Sequence, residues 1–197
     1  MLAHIHPYLV KGIPELDLPP IEPLVIPELK MENGQGPVRV RAIFTNITTI
    51  GPGNYSINKV RVNISSYRFD MHLSLPKIDI HGSYDINGNV LLFPIQSDVK
   101  AIVRIQGVEE VKNGISYMKI SRLLIDFSLG RARLRINDHL NGNNVIGQAM
   151  NQFLNQNIKE IIDEMRPAAS SSIAKYFKDF LNAIFIKMPL KVWMHDT

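Results

Sequence analysis

Residues 143–186 read NNVIGQAMNQFLNQNIKEIIDEMRPAASSSIAKYFKDFLNAIFI. Ile146, Met150, Phe153, Leu154, Ile158, Ile161 and Met165 follow at three- and four-residue steps, and Ile173, Phe177, Phe180, Leu181 and Ile184 continue the pattern. That spacing draws an apolar stripe down one side of an α-helix. Asn143 or Asn144 offers an N-cap. Pro167 sits inside the pattern and is expected to kink or divide the helix. Unbroken, a helix of this length would reach about 66 Å. A compact globule of this chain length would be only ~42 Å across. Either Pro167 folds the helix back, or the molecule is elongated with other structure wrapped along the helix.

The wrapping material lies upstream, between Val38 and about Leu140, where the apolar period is two. Val60, Val62 and Ile64 alternate with Arg61 and Asn63; Phe69, Met71, Leu73 and Leu75 alternate with Asp70, His72 and Ser74. Val99, Ala101, Val103 and Ile105 alternate with Lys100, Arg104 and Gln106, Ile102 being the exception, and Leu134 and Ile136 alternate with Arg133 and Arg135. Each run reads as a strand with one buried and one wet face, the pattern of an antiparallel sheet. Gly51-Pro-Gly-Asn54, Asn87-Gly-Asn89 and Asn113-Gly114 supply the turns, the Asn-Gly pairs as hairpins. Because the strands are apolar on one face only, the helix is the natural partner for that face. The expected fold is α+β, a single domain over 1–197 in which an antiparallel sheet (38–140) curls around a long helix (143–186).

Ahead of the sheet, Pro14, Pro19, Pro20, Pro23, Pro27 and Pro37 are spaced among Leu16, Leu18, Ile21, Leu24, Val25 and Ile26. Proline at this density denies helix. An exposed linker would be more polar, so residues 1–37 read as a helix end followed by an extended apolar strap against the body.

Composition narrows the function. The 197 residues carry 22 Lys and Arg against 18 Asp and Glu, a net charge of +4 that is spread along the chain. That surplus fits a wet surface and gives nucleic acid no special claim. With no cysteine, thiol catalysis, disulfides and cysteine-held metals are excluded within the sequence. The longest apolar runs, such as Ala183-Ile-Phe-Ile186, fall far short of the ~20 residues of a spanning helix. The histidines His4, His6, His72, His81, His139 and His195 have no ligand spacing, and no nucleophile elbow, P-loop or dinucleotide fingerprint occurs. The expectation is a protein with no catalytic residues, no metal and no cofactor. Arg131, Arg133 and Arg135 share one face of a strand, either as an anion or membrane-surface patch or as a solvated outer face. Asn46, Asn54 and Asn63 each begin an Asn-x-Ser/Thr triplet and become glycosylation acceptors if the chain is secreted. The apolar faces either fill a core or line a cavity, and periodicity does not separate the two.

Three ordered segments carry a family resemblance. Gly12-Ile-Pro-Glu-Leu-Asp-Leu-Pro-Pro-Ile-Glu-Pro-Leu-Val-Ile-Pro-Glu-Leu29 resembles the proline-rich segment of the insect takeout and haemolymph juvenile hormone-binding proteins. Leu75-Pro-Lys-Ile-Asp-Ile-His-Gly82 with Tyr84, Gly88 and Leu91-Leu-Phe-Pro-Ile95 resembles their central strand pair. Leu140-Asn-Gly142, Asn151-Gln-Phe-Leu-Asn-Gln-Asn157, Pro167 and Met188-Pro-Leu190 resemble their C-terminal helix and its exit. The resemblance implies a long helix wrapped by a strongly curved sheet, with an apolar tunnel inside. It also implies a secreted, haemolymph-like, non-enzymatic and monomeric carrier of juvenile hormone or another isoprenoid such as a carotenoid. Ala3–Val10 resembles the end of the family's first helix. The signal peptide and cysteine pair that precede that helix in the family are not in this sequence.

On this reading the partner is one long hydrophobic molecule, a terpenoid first and a fatty acid or quinone second, with transient contact to a membrane or receptor. Candidate lining residues are Val60, Val62, Phe69, Met71, Leu73, Val103 and Phe127 on strands, and Met150, Phe153, Leu154, Phe177 and Leu181 on the helix. The rival expectation keeps the fold and makes the protein a peripheral membrane lipid-transfer module, its basic surface on anionic headgroups.

Overall fold

The computed structural model describes residues 2–33, 40–86, 89–92, 95–134, 152–153 and 155–193. A first helix, α1 (Leu2–Lys11), and a short 3-10 turn at Pro14–Leu16 lead into the sheet. Its strands are β1 (Leu24–Asn33), β2 (Val40–Ile50), β3 (Ser56–Asn63), β4 (Arg68–Ile86), β5 (Asn89–Leu92), β6 (Ile95–Lys112), β7 (Ile115–Leu129) and β8 (Arg133–Leu134). Then come α2 (Ile158–Phe185) and a closing turn of helix, α3 (Leu190–Trp193).

The strands form one antiparallel sheet in the order β1-β2-β4-β6-β7, with β3 and β5 also paired to β4 and β8 to β6. Strands this long do not stay flat. At about 3.3 Å per residue, the 19 residues of β4 span roughly 63 Å. Register shifts at Thr45/Thr48, Ile57/Lys59, Leu75/Ile78 and Gln106/Gly107 break the ladder into segments. Each bends its strand and adds twist, which curls the sheet. Pro76 sits inside the third of these, where its missing N–H leaves no gap in the ladder. The Asn113-Gly114 turn has φ of 51° and 75°, the left-handed pair that a two-residue hairpin requires.

The helix occupies the hollow of this curl. It touches β7 and β1, the two ends of the strand path. On one flank Ala174, Phe177, Leu181 and Phe185 pack with the buried Met118, Ile120 and Leu123 of β7. On the other, the Ser172 hydroxyl donates to the Lys30 carbonyl, and the Tyr176 hydroxyl lies 3.5 Å from the Val25 carbonyl. Asn182 spans the backbone of Ile120, its side-chain oxygen accepting the N–H at 2.7 Å and its amide donating to the carbonyl at 3.1 Å.

Two expectations change. The apolar segment up to residue 37 is not a strap outside the sheet, because Leu24–Asn33 is its first strand. An edge strand tolerates proline, and Pro27 falls where β1 skips from Ile26 opposite Ile47 to Glu28 opposite Thr45. Nor does Pro167 divide the helix, which runs through it as 28 continuous residues, about 42 Å long. Pro167 and Asp163 are both exposed, so water can take the carbonyl that proline leaves without an amide partner. The expected helical stretch from 143 to 151, and the sheet end after Leu134, lie outside the described residues.

The N-terminal segment is tied down by polar contacts. The Glu22 carboxylate accepts from the Gly51 N–H at 2.9 and 3.0 Å and from the Gly53 N–H at 2.8 Å. His6 on α1 lies 2.7 Å from the Gly53 carbonyl. Gly51 has φ of 101°, and a Cβ there would lie 2.2 Å from the Lys77 carbonyl oxygen, so only glycine fits.

Candidate functional site

Pairing lines up the inward side chains in rungs across β3, β4, β6 and β7. Val62, Phe69, Ile105 and Leu123 form one, and Val60, Met71, Val103 and Ile125 the next. Leu73, Ala101 and Phe127 form a third, and Leu75, Val99 and Leu129 a fourth. This continuous apolar face is what period-two patterning on neighbouring strands produces once register is fixed.

The helix covers that face unevenly. Lying antiparallel along β7, α2 sets Asn182 at Ile120, and its exit brings Pro189 beside Tyr117. Met118, Ile120 and Leu123 are buried, and Phe69, Ile105, Ile125, Phe177 and Leu181, themselves half-buried, pack against them. Further along, Met71, Leu73, Ala101, Val103 and Phe127 are only half-buried. A recess of about 250 Å³ opens there, lined by Leu73, Ala101, Ile102 and Phe127 together with the polar Asn58, His72, Lys100, Asp126, Ser128 and Arg166. That is smaller than the ~300–1,000 Å³ that usually takes a drug-sized ligand.

The expected lining residues therefore separate. Met71, Leu73, Val103 and Phe127 stand together on the half-open stretch. Phe69, Phe177 and Leu181 pack into the filled end. Val60 and Val62 belong to the same rungs but are exposed, because β3 is an edge strand with β4 as its partner. Phe153 is 62% exposed. Met150 and Leu154 lie outside the described residues.

Arg131 and Arg133 are exposed; Arg135 lies outside the described residues. Asn46, Asn54 and Asn63 are all exposed. The apolar helix stripe left Asn182 and Ala174 unmarked as functional positions. An amide in the last turns of a helix, between Leu181 and Ile184, is the signal that could have found Asn182. Burial raises the Tyr55 and Tyr176 phenols above their ordinary value. Among the described residues, no three of His, Asp and Glu gather as a metal cage would require.

A curled antiparallel sheet holding a C-terminal helix against its apolar face is the fold of the takeout proteins. The profile of the haemolymph juvenile hormone binding protein family matches residues 1–195, and the chain belongs to that family. Its members are binding proteins of the insect haemolymph that take small hydrophobic ligands. The crystal structure of Epiphyas postvittana Takeout 1 superposes with a TM-score of 0.71 at 17% identity, covering 96% of this chain and 92% of that one. The circadian clock-controlled protein daywake of Drosophila yakuba is 19% identical over 196 residues, covering 91% of this chain and 75% of the relative. Its Drosophila melanogaster counterpart is 19% identical over 195 residues, with 90% and 75% covered.

Proposed function

We propose that the protein is a secreted, non-enzymatic, monomeric carrier holding one long apolar molecule of terpenoid type between the sheet and α2. The observation that supports this is the uneven cover of the inner face. At one end Met118, Ile120 and Leu123 are buried with Phe177 and Leu181 packed against them, while Met71, Leu73, Val103 and Phe127 beyond them include no fully buried side chain. Burial is worth roughly 2.5 kcal/mol per 100 Å² of apolar surface. Association costs at least ~4 kcal/mol in lost freedom. Several hundred Å² must therefore be buried, and a long prenyl or polyene chain supplies that with few hydrogen bonds. Met150 and Leu154, from the helical stripe, are further lining candidates. The exposed Asn46, Asn54 and Asn63 suit glycosylation on a secreted chain.

Native mass spectrometry and solvent extraction of protein from its natural source test this reading, followed by titration with juvenile hormone, a carotenoid, a quinone and a fatty acid. One bound apolar molecule per chain is expected, and a carotenoid would colour the sample yellow to orange. Protein that emerges empty and binds none of the four overturns it. Val103→Glu, which sets a charge between Met71 and Ile125, is expected to weaken binding by about tenfold or more.

A further inference from the structure

The strand β3 is exposed at every residue but Ile57, and among the described residues only β4 pairs with it. Its two faces differ in kind. Inward, Val60 and Val62 stay 42% and 49% exposed, and Ile64 in the following turn is 48% exposed. Outward, Lys59 and Arg61 join Arg68, His72 and Arg104 around a shallow recess. Asp70 is the one carboxylate in it, and Arg68 holds it at 3.1 Å. Lys59, Arg61 and Arg104 make no ion pair among the described residues. A patch of unpaired cations beside exposed aliphatic side chains, on a bare sheet edge, has the chemistry of a lipid interface. A nucleic-acid surface would want stacking aromatics among the cations, and this patch has none.

The edge is also where the inner face comes to the surface. Val62 begins the rung Phe69–Ile105–Leu123, and Val60 begins the rung Met71–Val103–Ile125. An apolar path thus runs from the exposed edge at Val60 to the half-open Met71 and Val103, with no charged side chain on its rung, while the Val62 rung ends in the packed core. We propose that the β3 edge docks on an anionic lipid bilayer, and that the Val60 rung carries an apolar ligand between bilayer and protein. The transfer step rests on the carrier reading, whereas the docking does not.

The test uses ligand-stripped protein sedimented with vesicles of phosphatidylcholine alone or with phosphatidylserine added, at low and near-physiological salt. Retention on the phosphatidylserine vesicles is expected, weakening as salt rises. The double variant Arg61→Glu with Arg104→Glu is expected to lose it by about tenfold or more, each cation contributing to the attraction. Binding of an apolar fluorescent dye in solution should be unchanged in that variant. An unaltered thermal midpoint shows that it folds, and the milder Arg61→Gln with Arg104→Gln replaces it if the midpoint falls. Equal retention on both vesicle types, or full retention by the variant, overturns the docking. So does complete competition by millimolar inorganic phosphate, which would make the recess a site for small free anions. If dye binding fails while vesicle binding persists, the carrier reading falls and the docking surface stands.

Discussion

Asn182 does with one side chain what another strand would do with its backbone. Ile120 is fully buried on β7, where no further strand in the path satisfies its N–H and carbonyl, and the Asn182 amide takes both. Truncation would leave two buried backbone groups without partners, each costing about 1–3 kcal/mol. Asn182→Ala is therefore expected to be among the most destabilising single changes in α2, read as a lower midpoint in urea. Asn182→Leu, though it restores apolar volume, should be no better, since volume does not satisfy an amide. If either variant unfolds like the wild type, the bridge contributes nothing. The residue was illegible beforehand for a plain reason. Helical period marks where apolar residues fall, whereas this position matters for its polar atoms.

At the scale of elements, α2 holds the sheet curled by gripping both ends of the strand path. On the β1 side the grip is polar, through Ser172 and Tyr176. Burial raises the Tyr176 phenol above its ordinary value. The folded form thus prefers the protonated phenol, and its stabilisation is complete below the unfolded value of about 10. It is lost as pH rises through the higher folded value. Tyr176→Phe, with no phenol to ionise, is expected to unfold at a higher pH than the wild type in a base titration followed by circular dichroism. An unchanged alkaline midpoint would assign the sensitivity to Tyr55. Alternation made β4 and β6 legible, because each has a wet face and a drier one. It concealed β1, where Pro23 and Pro27 read as a strap and an edge position absorbs the missing donors. It did not reveal that Val60 and Val62 are exposed, since period assigns a side chain to a face but does not say whether that face is covered. The half-open stretch was half legible: Met71, Leu73, Val103 and Phe127 were found by parity, whereas Phe177 and Leu181 have the same pattern and fill a core.

Across the whole molecule, occupancy and stability are linked. A ligand that binds only the folded chain at a hundred times its dissociation constant adds about 2.7 kcal/mol. Saturating amounts of the natural ligand should raise the thermal midpoint in a concentration-dependent way, and a midpoint indifferent to ligand would deny the coupling. The helix that closes the curl has a consequence of another kind. Its contacts to β1 join residues 142 and 151 positions apart, Ser172 to Lys30 and Tyr176 to Val25. Loops that wide are costly to close early, so this closure belongs late in folding. On the ribosome the last described strand ends at Leu134, and α2 ends 51 residues later at Phe185. At about 5–20 residues per second, the bare apolar face waits roughly 3–10 s for its cover. The newborn chain is thus a client for chaperones that shield greasy surfaces. A premature stop before Ile184 removes the part without which the rest stays open, so such alleles should behave as complete losses.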